Sequence, residues 1–125
     1  MNFVRYRRIT ACYCVLILLF SSIPGKSIPE TRLFSYDKLL HIFEYAILGW
    51  LLAGSLEQRN LKFIIGILLF GMVFGGFDEL WQSVTPDRNM SVYDWLSDCI
   101  GLILGFFIYL LRLKIIFPSG KVRYG

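Results

Sequence analysis

The sequence predicts an all-α, polytopic membrane protein: a four-transmembrane-helix bundle with both termini cytoplasmic. Three observations point to it. The 125 residues are 56% hydrophobic, and the mean hydropathy of +0.59 lies well above that of an ordinary soluble domain. Four apolar segments follow one another, predicting helices at about 9–23, 38–56, 61–82 and 92–117, each near the roughly 20 residues that span a hydrocarbon core. Lysine and arginine are distributed unevenly about them. Arg5, Arg7, Arg8, Arg59, Lys62, Arg112, Lys114, Lys121 and Arg123 fall on one side, and Lys26, Arg32, Lys38 and Arg88 on the other. By the positive-inside rule the first group is cytoplasmic. The whole chain, 1–125, reads as a single integral membrane domain.

The first segment begins "MNFVRYRRITACYCVLILLF", which also has the basic and apolar regions of a secretory signal. The following "SSIPG" is a poor cleavage site, and Pro24 suits a helix end, so the segment is expected to stay as helix 1. The net charge of +4 is then a topology signal with some attraction to anionic headgroups, and it carries no nucleic-acid footprint. Cys12, Cys14 and Cys99 fall inside spans at different depths, so no disulfide is expected. The connections are short, and Pro24, Pro29 and Pro86 lie in the outer ones. Helix 4 opens with "SVYD", in which Ser91 can cap and Asp94 occupies the capping-box position. Tyr36, Trp81, Tyr93 and Trp95 stand at outer helix ends, where an aromatic belt is expected.

The acids are the informative feature. With this topology all but Glu57 lie on the outer side or in the outer half of a helix, and topogenesis does not require this of carboxylates. In helix 2, Asp37, His41, Glu44 and Leu48 share a stripe about 60° wide. The same spacing recurs as Gly71, Gly75, Asp78 and Gln82 in helix 3 and as Asp94, Asp98, Gly101 and Gly105 in helix 4. Both glycine pairs are GxxxG, a pattern that lets helix backbones approach closely in lipid. The carboxylates therefore extend a packing face and are expected to point inward. A rise of about 1.5 Å per residue places Glu44 and Asp98 at one depth, where they can meet, with His41 and Asp78 about a turn nearer water. His41 is either a satisfied interior histidine, hydrogen-bonded to Asp37 or Glu44, or a catalytic one, and Glu79, about 100° from Asp78, is free to face the headgroups.

The result is an expected outward-facing acidic pocket formed by Asp37, His41, Glu44, Asp78, Glu79, Gln82, Arg88, Asp94 and Asp98. Seven carboxyls, counting Asp87, face Lys38, Arg88 and His41, so at least four negative charges lack a partner if all are ionised. Protons, a divalent ion or a cationic ligand must supply the difference. Part of the set has simpler roles open to it. Asp37 and Asp94 suit helix caps, and Asp87 suits a solvated turn. Glu44, Asp78 and Asp98 do not, because an intramembrane carboxylate costs about 2.5–3.5 kcal/mol even on insertion scales.

The stretches "DKLLHIFEYAILG" and "FDELWQSVTPDRNMSVYDWLSDCIGLILG" resemble the VanZ-like family of small membrane proteins. Its pattern is D-K-x-x-H-x-x-x-Y-x-x-L-G, then D-E-x-x-Q, a loop with P-x-R, and D-x-x-x-[ND]-x-x-G-x-x-x-G. The resemblance covers residues 37–105 and marks Asp37, Lys38, His41, Tyr45 and Gly49, then Asp78, Glu79 and Gln82, then Pro86 and Arg88, then Asp94, Asp98, Gly101 and Gly105. Asp87 stands where the family often has glycine, Asp98 stands where asparagine is common, and Glu44 is outside the pattern. The resemblance implies a multi-pass protein of a bacterial plasma membrane. It also implies a cell-envelope role connected with resistance to teicoplanin-type glycopeptides, whose biochemical activity the family name does not supply. The expected partners are the lipid bilayer and an envelope-active compound or lipid-linked precursor.

A second function fits the same residues: an intramembrane enzyme acting on a lipid headgroup or lipid-linked cell-wall precursor. Asp78 and Asp98 would serve as acid and base or bind a divalent cation such as Mg²⁺ or Ca²⁺, His41 would move a proton, and Arg88 would hold a phosphate. One histidine and no available thiolate argue against a structural zinc site. A proton-coupled carrier is a third reading, opposed by the lack of ionisable groups in the cytoplasmic halves of the helices.

Overall fold

The computed structural model describes residues 2–25 and 34–116, and shows four α-helices and no strand among them: α1 (Phe3–Ser21), α2 (Phe34–Ser55), α3 (Leu61–Ser83) and α4 (Val92–Ile116). Expectations that rest on Lys26, Pro29, Arg32, Lys121 and Arg123, or on residue 117 as the end of helix 4, lie outside the described residues. The helices start where the chain supplies acceptors for their free amides. Asn2 accepts from the amide of Arg5 at 3.2 Å, Asn60 from Phe63 at 3.1 Å, and Ser91 Oγ from Asp94 at 3.3 Å. α1 begins about two turns before its apolar segment, because Asn2 caps a basic turn whose arginines are good helix formers.

Two of the helices, α3 and residues 92–114 of α4, are long and apolar enough to cross a membrane. α1 is charged by Arg5, Arg7 and Arg8, and α2 by Asp37, Lys38 and Glu44. All four turn large apolar residues outward: Leu19, Phe43, Val73 and Phe107 are each more than half exposed.

α2 and α4 form the most extensive helix pair, with α1 packed on α2 and α3 on α4. Glycines make that pair possible. A Cβ on Gly49 would lie 2.0 Å from the carbonyl oxygen of Leu102, one on Gly101 2.2 Å from that of Ile42, and one on Gly105 1.8 Å from that of Ala46. The "GLILG" motif of α4 thus lies directly on the backbone of α2. The "GMVFG" motif of α3 makes a looser fit: Gly71 receives the side chain of Leu102, and Gly75 sits against Tyr45, Asp98 and Trp95.

The apolar core has two parts. Ile17, Tyr45, Leu48, Leu52 and Leu102 fill the middle of the bundle. Ala53, Leu56, Phe106, Tyr109 and Leu113 fill the end that carries the α2–α3 connection, where Trp50 meets the Tyr109 ring edge-on at 5.1 Å. Arg5, Arg7, Arg8, Arg59, Lys62, Arg112 and Lys114 all belong to this end. At the opposite, polar end the described residues include only Lys38 and Arg88 as lysine or arginine.

The turn joining α3 to α4 is held against the end of α1. The Gly25 amide donates to the Pro86 carbonyl at 3.0 Å, and a Cβ on Gly25 would lie 1.9 Å from the Asp87 carbonyl oxygen. Asp87 has φ 60, the left-handed region that glycine adopts freely and aspartate tolerates. This explains why glycine is at home between the proline and arginine of this turn.

The glycine contacts yield a direct test. Gly105→Ala should lower thermal stability in detergent by about 1–3 kcal/mol as the methyl group forces α2 and α4 apart. Gly66→Ala, whose Cβ meets nothing within 4 Å, should be neutral or stabilise by up to about 1 kcal/mol. Equal behaviour of the two variants would contradict the close contact.

A buried carboxylate cluster at the polar end

Three helices and one turn bring the polar residues together. The stripe that α2 buries is His41 and Tyr45, continuing into Leu48, with Lys38 partly buried at its outer end. α3 contributes Asp78, Glu79 and Gln82, and α4 contributes Asp94 and Asp98. Asp78, Glu79 and Asp98 are 0%, 2% and 1% exposed, so they lie inside the protein rather than on a solvated rim.

Two side-chain pairs cross the α2–α4 contact, one helical turn apart. His41 Nδ1 lies 2.8 Å from Asp98 Oδ1, and the Lys38 ammonium donates to Asp94 Oδ1. The glycine-permitted backbone approach is what lets both short pairs form. On the α3 side, the Tyr45 hydroxyl donates to Asp78 Oδ2 at 3.3 Å. The Ser91 amide donates to Glu79 Oε2 at 2.9 Å.

Gln82 is the link to α1. Its Nε2 donates to Ser21 Oγ at 3.4 Å, and its Oε1 accepts from Arg88 NH1 at 2.8 Å. Arg88 Nε also donates to the Ile23 carbonyl at 3.3 Å, and Thr85 Oγ1 donates to the Ser21 carbonyl at 3.1 Å. The guanidinium is therefore occupied in fastening α1 to the turn, which leaves it less suited to hold a phosphate than the sequence implied.

Several expectations need correction. His41 pairs with Asp98 instead of Asp37 or Glu44, because α4 presses against the face of α2 on which His41 stands. Asp37 is exposed and lies inside the first turn of α2 rather than at its cap, since that helix starts at residue 34. Glu44 is half-buried, the Tyr13 hydroxyl donates to its backbone carbonyl at 3.1 Å, and Asp98 pairs with His41. Glu79 does not face outward, because the start of α4 and the turn before it cover that flank of α3 and supply the Ser91 amide. The reciprocal half of the capping box is consequently unused: Ser91 caps Asp94, while Asp94 turns to Lys38.

Trp95 also leaves the expected belt. It is half-buried, and its indole donates to the Met72 carbonyl at 3.0 Å beside the Gly75 and Gly76 backbone. Tyr36, Trp81 and Tyr93 are exposed as expected, with the Trp81 indole reaching Ser22 Oγ at 2.8 Å. Ser21 is the residue that sequence reasoning missed. Its signal was available only as a small polar residue at the last turn of α1. The three cysteines are free.

The open acidic cavity expected from the sequence is a smaller feature in the structure. A cleft of about 170 Å³ lined by Gly76, Glu79, Met90, Ser91, Val92 and Trp95 reaches the cluster from the side of α3 and α4. A larger one of about 640 Å³ lies at the basic end, between α1, α2 and α3.

Inside the cluster, Asp78 Oδ1, Glu79 Oε1 and Asp98 Oδ2 are buried without a hydrogen-bond partner. Such groups are rare, and each costs about 1–3 kcal/mol or more where nothing compensates it. Positive charge is accordingly the scarce component. Lys38→Ala should destabilise the protein by about 1–3 kcal/mol by stranding the buried Asp94. Asp37→Ala, at an exposed position, should change stability by no more than about 0.5 kcal/mol. Thermal unfolding of both variants in one detergent checks this, and a neutral Lys38→Ala would contradict it.

A comparison with protein-family models matches residues 3–115 to the VanZ/LLP1 family. No curated protein and no solved structure matched the chain. The matched region includes α1 with Ser21 as well as the three helices that carry the motif residues. The chain belongs to the VanZ/LLP1 family.

Proposed function

We propose that this VanZ/LLP1 chain is a four-span integral protein of a bacterial cell membrane, with both termini in the cytoplasm. Its role lies in the cell envelope: the carboxylate cluster engages an envelope-active compound or a lipid-linked precursor and changes susceptibility to teicoplanin-type glycopeptides. One observation carries the reading. The molecule is apolar outside and acidic inside, with Phe43, Val73 and Phe107 turned outward while Asp78, Glu79 and Asp98 are buried. An exterior of this kind suits lipid, and buried ionisable groups in a lipid-facing bundle mark functional sites. The excess of lysine and arginine at the end opposite the cluster supports an outward orientation for it.

A second reading is favoured by the His41–Asp98 pair, a buried imidazole held by a carboxylate, which is an arrangement suited to proton transfer. On this reading the protein is an intramembrane enzyme that acts on a lipid headgroup or lipid-linked precursor, with Asp78 as the second acid–base group.

Glycopeptide and lipopeptide susceptibility should be measured in one host carrying no gene, the wild type, Asp98→Asn or Asp78→Asn. The proposal expects the wild type to reduce teicoplanin susceptibility and both variants to lose the effect. An unchanged susceptibility with wild-type protein present in the membrane would sink the envelope-resistance role. Full function in both variants would sink the enzyme reading.

A further inference from the structure

The three buried carboxylates with an unpartnered oxygen do not stand in equivalent surroundings. Glu79 of α3, Asp98 of α4 and His41 of α2 each offer a ligand atom, and these atoms all lie within 4.8 Å of one another. All three residues are buried. Glu79 Oε1 and Asp98 Oδ2 have no hydrogen-bond partner. Each carboxylate uses its other oxygen: Glu79 Oε2 accepts from the Ser91 amide, and Asp98 Oδ1 meets His41. Both side chains are thus oriented by one oxygen while the second is left bare inside the protein.

The neighbouring cations do not satisfy them. Lys38 pairs with Asp94, and Arg88 binds Gln82 and the Ile23 carbonyl. A second grouping of Asp37, His41 and Asp94 exists, but Asp37 is exposed and Asp94 already has its ammonium partner. The inner set therefore has both the charge deficit and the unmet oxygens.

We propose that His41, Glu79 and Asp98 form a binding site for a divalent cation of the Mg²⁺/Mn²⁺ class. Two carboxylates match the charge of such an ion, and a neutral imidazole supplies a third donor. The oxygen-rich set suits a hard cation, while the imidazole nitrogen shifts the preference from Mg²⁺ toward Mn²⁺. Three protein ligands leave further coordination positions open. A cleft lined by Glu79, Ser91 and Trp95 flanks the site on the Glu79 side, the side from which an outside oxygen ligand, such as water or the phosphate of a headgroup, would approach. The three donors come from three helices, so the ion would also join α2, α3 and α4 at the polar end. The site deepens the reading of the cluster as the functional centre and rests on it.

The test uses the full chain purified in detergent, freed of metal with chelator and titrated with Mn²⁺ alone. The expected result is one Mn²⁺ per chain, with a nitrogen coupling from a single imidazole in its electron spin resonance. Glu79→Gln and Asp98→Asn should each weaken binding at least about 10-fold, and Glu57→Gln, exposed beside Arg7 at the basic end, should leave it unchanged. Circular dichroism and elution volume identify a variant that has lost its fold, in which case the wild-type nitrogen coupling decides. Substoichiometric binding, absence of that coupling, or unaltered affinity in both folded ligand variants would overturn the proposal. The susceptibility assay on the same variants separates the two ideas. A metal-free wild type whose phenotype still depends on Asp98 removes the cation and leaves the functional centre. Stoichiometric Mn²⁺ with a phenotype indifferent to Asp98 does the reverse.

Discussion

The backbone contact between α2 and α4 is the constraint on which the rest of the structure depends. Gly49, Gly101 and Gly105 each occupy a place where a methyl group would overlap a carbonyl oxygen of the facing helix. Close approach of this kind gives dispersion contact along both helices. It also sets the register. With Gly101 against Ile42 and Gly105 against Ala46, Asp98 and Asp94, one and two turns from Gly101 toward the polar end, come opposite His41 and Lys38 of α2. Packing glycines and polar residues are one continuous stripe, and the geometry of the second follows from the first.

That stripe carries more negative charge than its partners neutralise. Taking a carboxylate out of water costs several kcal/mol, and only good pairing recovers it. The structure pairs one oxygen of Asp94 with Lys38 and one oxygen of Asp98 with His41, and gives Asp78 and Glu79 one donor each. An apolar residue at any of these positions would pack more cheaply. Their presence makes sense as a site held ready for something positively charged, with Gln82, Arg88 and Ser21 closing the neighbouring wall and tying α1 to the turn before α4.

The sequence made part of this legible. Helical periodicity correctly grouped Asp78 with Gln82 and Gly75, and Asp98 with Asp94 and Gly101, because both polar groups share a face with glycines that must pack. It failed where the answer depended on rotation of one helix relative to another. Periodicity places His41 and Glu44 on one stripe of α2, yet α4 covers His41 and leaves Glu44 half-buried. Glu79 was misplaced for a related reason: a helical wheel shows which way a residue points, but not whether a later turn folds over it. The same blindness hid Ser21, whose role exists only because the 84–91 turn returns to the end of α1.

The central claim is that the glycine-set register couples His41 and Asp98 across α2 and α4, and a double-mutant cycle tests it most directly. Unfolding free energies of the wild type, His41→Ala, Asp98→Ala and the double variant would be measured in one detergent. The account predicts a coupling energy of about 1–3 kcal/mol between the two sites. Strictly additive effects would mean that the two residues do not face each other, and the site built on their pairing would fall with them.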